Sequence, residues 1–163
     1  MPVDRDLISA ENCSVKRALD VVGEKWTLLV LREAFYGARR FEQFQTRIGC
    51  PRQVLSERLA TLVEAGVLRR LPYREPGQRE RQEYRLTEKG RDLLPIVVAL
   101  MRWGDKWEAD PAGPPVEVVH RECGHPVELV LRCSDDQELL RAHDTEPRPG
   151  PGARPAHPGR TIQ

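Results

Sequence analysis

The chain has 163 residues, 39% of them hydrophobic and 31% charged, with a formal net charge of +1. That length allows one well-buried domain with appendages, and the composition is that of a globular protein in water. Helical membrane spans are excluded, because the longest apolar runs, residues 28–31 and 96–101, are far short of the roughly 20 residues a span needs. The opening MPVDRDLISAEN carries acids where a secretory signal has an apolar stretch, so a cytoplasmic location is expected.

Val15, Ala18, Leu19 and Val22 are spaced for a first helix, capped by Ser14 and stopped near Gly23. Residues 25–36 predict a second helix, apolar on most sides through Trp26, Leu28, Leu29, Val30, Leu31 and Ala34, which belongs at the centre of a core. Phe41, Phe44 and Ile48 give residues 40–48 one buried helical face. Gly49-Cys50 is a tight break, with Cys50 in the cap position, where it is a poor cap. Pro51 then opens a fourth helix that buries Leu55, Leu59 and Leu62 and closes at Gly66. Residues 68–73 and 81–86 read as strands joined through Pro76-Gly77 into a hairpin. Thr87-Glu88 caps a last helix reaching Trp107, which Pro95 kinks or splits.

Residues 111–115 form a Pro/Gly linker, 116–133 a small hairpin packed through Val118, Leu129 and Leu131, and 136–143 a short helical patch. From Thr145 onward, five prolines and three glycines in nineteen residues predict a disordered tail. The expected fold is mainly α with a small β-hairpin wing. A winged helix-turn-helix domain spans residues 1–110, a small C-terminal β appendage 111–144, and the tail 145–163.

The order of two helices, a short helix, a tight turn, a longer helix and a charged hairpin is that of a helix-turn-helix with a wing. A helix fits the major groove of B-DNA, and its N-terminal side chains reach base edges. Double-stranded DNA is therefore the expected partner. With Leu55, Leu59 and Leu62 inward, Gln53 and Glu57 face away, and Arg52 and Ser56 lie on the flank near the N-terminus. Gln53 suits adenine, and Arg52 suits guanine or a phosphate. Arg58 holds either a phosphate or a carboxylate such as Glu57 or Glu64. Arg79 and Arg81 on the wing are candidates for groove or backbone contact, and Arg39 and Arg40 for phosphate clamps. Residues 39–91 hold thirteen Lys and Arg against seven Asp and Glu, whereas 111–163 hold six against eight. The excess lies where a phosphate-facing surface would be, although solvated helix faces give the same pattern.

Cys13-Ser-Val, Asp20-Val-Val-Gly-Glu-Lys-Trp26, residues 41–49, Leu55-Ser-Glu-Arg-Leu59, Glu64-Ala-Gly66 and Glu83-Tyr-Arg-Leu-Thr-Glu-Lys-Gly90 resemble the HxlR-type winged-helix regulators, relatives of the MarR group. The likeness covers about residues 12–107. It implies a transcription regulator, a repressor by family habit, that binds a palindromic operator as a homodimer built mainly from its terminal helices. Val97, Leu100, Trp103 and Trp107 are then the expected interface. Cys13 matches the N-terminal cysteine that several such regulators use as a thiol sensor; the competing role is a small residue packed in the dimer.

Four cysteines in a cytosolic chain are expected as thiols. His120-x2-Cys123 and Cys133-x2-Asp136 have the spacing of zinc knuckles, but Asp136 stands where a structural site takes cysteine. No cofactor is therefore expected, with zinc left open at those four residues. No residue set marks a small-molecule effector. The chain has no Gly-rich phosphate loop, HExxH, nucleophile elbow or carboxylate pair, so an enzyme is not expected. A winged helix used only for protein contacts is the other alternative; it would show no salt-dependent DNA binding.

Overall fold

A computed structural model describes residues 9–155. The remaining part of the expected tail, residues 156–163, lies outside the described residues. The chain divides into two compact units, residues 21–127 and, within the described residues, 9–20 with 128–155.

The larger unit is built around α2 (Lys25–Phe35), which packs against α3 (Phe41–Ile48), α4 (Arg52–Glu64) and α6 (Leu94–Trp107). Val30 and Leu31 of α2 join Phe44, Leu55, Leu59, Leu62, Val67, Leu68 and Val97 in one buried cluster. The near-all-round apolar character of α2 thus has the central placement that burying every side requires. α1 (Ser14–Val22) contributes Val22 to this core.

Gly49 ends α3 in the left-handed region (φ 67), a conformation that glycine adopts without steric cost. Pro51, not Cys50, is the N-cap of α4, and its carbonyl accepts from the Leu55 N–H at 2.9 Å. Cys50 instead faces the core and is 3% exposed. The expected capping loss at Cys50 therefore does not arise; a small apolar thiol fills the turn.

Strands β1 (Leu68–Tyr73) and β2 (Arg81–Leu86) pair antiparallel from Leu68↔Leu86 to Tyr73↔Arg81, as expected for a wing. The α2–α3 connection adds a third edge, because the Tyr84 N–H donates to the Arg39 carbonyl (2.7 Å) and Arg40 bridges Glu83. The terminal helix is split into α5 (Glu88–Arg91) and α6, with Pro95 in the first turn of α6. There the missing N–H costs nothing.

The Thr87-to-Gly90 segment has a clear physical role. The Thr87 hydroxyl accepts from the Gly90 N–H (3.1 Å) and donates to the Gly66 carbonyl (2.7 Å), while Lys89 Nζ donates to the Ala65 carbonyl (2.8 Å). One short segment thereby caps α5 and satisfies carbonyls that α4 leaves open at its C-terminus.

The C-terminal region differs from expectation. The 116–133 hairpin is reduced to a bridge between Val119 and Pro126. Within the second unit, β3 (Leu131–Arg132) pairs with β4 (Leu139–Leu140), where a helical patch was expected, and only Ala142–Asp144 form a single 3-10 turn. Asp136 accepts the Glu138 N–H (2.9 Å) and Gln137 has φ 63, a local turn that competes with helix. Leu129 and Leu131 are exposed rather than packed. Ser9 N–H donates to the Arg154 carbonyl (2.8 Å) and Asn12 Nδ2 to the Gly152 carbonyl (2.6 Å). No helix of the described residues is long and apolar enough to cross a membrane.

Candidate nucleic-acid interface

The three leucines of α4 anchor it to the core, each with no exposed surface, and this fixes what the opposite face presents. Arg52, Gln53, Ser56 and Glu57 are all exposed on its first two turns. Gln53 Nε2 donates to Glu57 Oε1 (3.2 Å), an i,i+4 bond that aligns both side chains along the helix. The Arg52 guanidinium lies over the Phe41 ring (4.8 Å), which ties the start of α4 to the bracing helix. Arg58 is half-buried, sits 3.8 Å from Glu57, and has its Nε buried without a partner among the described residues. Its contact with a carboxylate is at the long end of ion-pair range.

The arginines around the wing fall into two groups. Arg40 is engaged internally: it pairs with Glu75 at 2.5 Å and stacks over Tyr73 at 4.5 Å. The hydrogen bond to Glu75 raises its pKa above the already high ordinary value. Arg81 pairs loosely with Glu42 of α3 at 3.7 Å, both side chains being largely exposed. Arg39 and Arg79 are exposed, and among the described residues neither has a carboxylate within ion-pair distance. Arg79 sits in the turn that follows Gly77 (φ 76), where the Gln78 N–H donates to the Glu75 carbonyl (3.0 Å). The exposed front of α4 and the unpaired or loosely paired cations Arg39, Arg52, Arg79 and Arg81 all belong to the one compact unit of residues 21–127.

Sequence reasoning missed Tyr73, Glu75 and Glu42. Tyr73 and Glu75 hold Arg40, and Glu42 pairs with Arg81. Tyr73 left no local signal, because its partner is Arg40 on the α2–α3 connection and not a residue of its own hairpin. Glu75 lies 35 positions from Arg40, and nothing local links them.

On α6, Val97 is 6% exposed and packs in its own core, so it has no surface for a partner. Leu100, Trp103 and Trp107 are exposed, together with Ile96. Cys13 is half-buried just before α1. His120 Nδ1 lies 3.1 Å from Cys123 Sγ. Asp136 accepts the Glu138 N–H and the Cys133 thiol, which hold its carboxyl below the usual range. Among the described residues no three His, Cys, Asp or Glu side chains gather closely enough to hold a metal ion.

A short bracing helix, a tight turn, an exposed-front second helix and a basic antiparallel ribbon define a winged helix-turn-helix DNA-binding domain. The chain belongs to the HxlR-like helix-turn-helix family, whose model matches residues 21–111. An HTH-type transcriptional regulator of Mycobacterium tuberculosis is 50% identical over 142 residues, covering 87% of this chain and 89% of the relative. One from Synechocystis is 36% identical over 96 residues, covering 58% of this chain and 70% of its own. Among solved structures, PA1607, described as a candidate transcription factor, superposes with a TM-score of 0.75 at 40% identity, covering 85% of this chain and 96% of that one. The redox regulator HypR in its oxidized form superposes at 0.52 and 33% identity, covering 58% and 96%. The protein is a transcriptional regulator with a helix-turn-helix DNA-binding domain, and not an enzyme.

Proposed function

We propose that the protein is a cytoplasmic repressor that binds a palindromic operator as a homodimer and responds to oxidants through Cys13. The observation that carries the DNA reading is the exposed Arg52–Gln53–Ser56–Glu57 front of α4 beside a wing whose Arg79 has no carboxylate partner among the described residues. In this reading Gln53 and Arg52 meet base edges, with Ser56 and Glu57 beside them, while Arg39, Arg79 and Arg81 meet phosphates. Arg40 and Arg58 brace the surface and reach phosphate only by leaving their carboxylates. The exposed α6 stripe supports a dimer, which would set two recognition helices about 34 Å apart on successive major-groove faces. The repressor assignment follows the habit of the family. The redox assignment is supported by the position of Cys13 and by the likeness to the redox regulator HypR.

Selection of bound sequences from random duplexes, with and without diamide, tests these parts together. The expected product is an inverted repeat whose binding weakens with salt and changes with oxidant. Arg79→Ala is expected to weaken binding and lower the salt slope by about 1. Gln53→Ala is expected to relax sequence preference and leave the slope alone. Absence of duplex binding even in dilute buffer removes the DNA-reading surface. An oxidant response that survives Cys13→Ser removes the sensor assignment alone.

A further inference from the structure

We propose that Cys123 and His120 form a thiol–imidazole pair and that Cys123 is a site of oxidation by peroxides, independent of Cys13. His120 Nδ1 and Cys123 Sγ are 3.1 Å apart, within hydrogen-bonding reach for sulfur. In the tautomer with its proton on Nε2, Nδ1 accepts from the thiol. The turn that presents the pair is fixed by its own backbone. His120 N–H donates to the His125 carbonyl, Gly124 N–H to the His120 carbonyl, and Val127 N–H to the Val118 carbonyl, at 2.8, 2.8 and 2.9 Å. Gly124 takes φ 71, which lets the chain reverse immediately after Cys123. His125 Nδ1 lies 3.1 Å from the Cys123 carbonyl, and its Nδ1–H tautomer donates there and holds the backbone beneath the thiol.

Cys50 and Cys133 stand in different surroundings. Cys50 is buried, and burial pushes its thiol up. Cys133 is half-buried and donates to the Asp136 carboxylate. Cys13 is half-buried, whereas Cys123 is exposed. An exposed thiol with an adjacent base is the arrangement that activates a sulfur nucleophile.

The step balances as follows. His120 Nδ1 takes the thiol proton as Sγ attacks one peroxide oxygen. The S–O bond forms, the O–O bond breaks, and the departing oxygen receives that proton to leave as water or an alcohol. Sulfur is oxidised by two electrons to the sulfenic acid and the peroxide is reduced. The stem of the turn is tied to α6, because Arg102 donates to the Val127 carbonyl at 2.5 Å.

The test treats the full chain with hydrogen peroxide, traps sulfenic acid with a dimedone probe, and reads each cysteine separately by mass spectrometry. Cys123 is expected to be trapped at least tenfold faster than Cys133 and Cys50. His120→Gln is expected to slow Cys123 at least tenfold and leave Cys13 unchanged. His125→Gln, a neighbour without a sulfur contact, is expected to slow it less than threefold. Equal trapping of Cys123 and Cys133, or an unchanged Cys123 rate in a folded His120→Gln protein, overturns the proposal. Because Cys13 is read in the same spectra, its silence bears on the sensor assignment and leaves this one standing.

Discussion

A methyl group at position 90 has nowhere to go. A Cβ built on Gly90 would stand 2.2 Å from the Val67 carbonyl oxygen and 3.0 Å from Leu86 Cδ2, and the first of these is backbone that cannot swing aside. Gly90→Ala is therefore expected to lose about 3 kcal/mol of stability, the upper end of ordinary overpacking, read as a lower urea midpoint with unchanged slope. A midpoint within error of the parent would show that α5 can lift off the α4 cap without cost. Cys50 makes a second residue-scale prediction. Burial raises its thiol pKa, with Arg58 opposing, so at neutral pH it is expected to resist iodoacetamide in the native protein and to react once unfolded. Native labelling at the unfolded rate would contradict its place in the core. Leu55, Leu59 and Leu62 were legible at this scale, because helical spacing alone selects them. Glu75 under Arg40 was not, since its role depends on how the hairpin folds back on the start of α3. Cys50 was misread because only the three-dimensional turn distinguishes a cap from the residue before it.

At the scale of elements, hydrophobic period and Pro-Gly punctuation located every helix and strand of the larger unit, and both wing strands have the expected bounds. The C-terminal appendage resisted the same reading. Its strands are two residues long, its apolar residues are mostly exposed, and nothing buried enforces a register. The attachment of α3 was also hidden. Glu33, 6% exposed on the core helix α2, pairs with Arg32 at 2.9 Å and with Arg47 of α3 at 3.7 Å. A carboxylate within an apolar helix reads in sequence as an interruption, whereas in the fold it fastens the bracing helix. Glu33→Gln retains the shape and removes the charge, leaving two guanidinium groups without their anion. The expected loss is about 1–3 kcal/mol by chemical denaturation. A parallel loss of operator affinity is expected from loosened bracing, with the salt slope unchanged because no phosphate contact is removed. A changed slope would mean that Arg47, once released, reaches DNA.

Over the whole molecule, α6 carries two apolar faces, and helical geometry separates them. Val97, Val98 and Met101 turn toward the core, while Ile96, Leu100, Trp103 and Trp107, at steps of four, three and four, turn away. One apolar stripe predicted from sequence is therefore two, and Val97 belongs to the fold while the tryptophans are left for a partner. Exposed surface of this kind on a monomer marks an association site, and the dimer reading requires this stripe to be covered. The two faces give opposite outcomes. Val97→Ala removes two buried methyl groups and leaves a cavity, so unfolding free energy is expected to fall by about 2 kcal/mol while the sedimentation coefficient is unchanged from the parent. Trp103→Ala is expected to leave the stability of the isolated protomer nearly unchanged and to weaken self-association by about 2 kcal/mol, roughly thirtyfold in Kd, seen as a concentration-dependent shift toward monomer. Operator binding should then become steeper in protein concentration, because two half-site units must assemble on the DNA. A Trp103→Ala protein that sediments and binds like the parent would place the dimer contact elsewhere and leave this exposed stripe without a role.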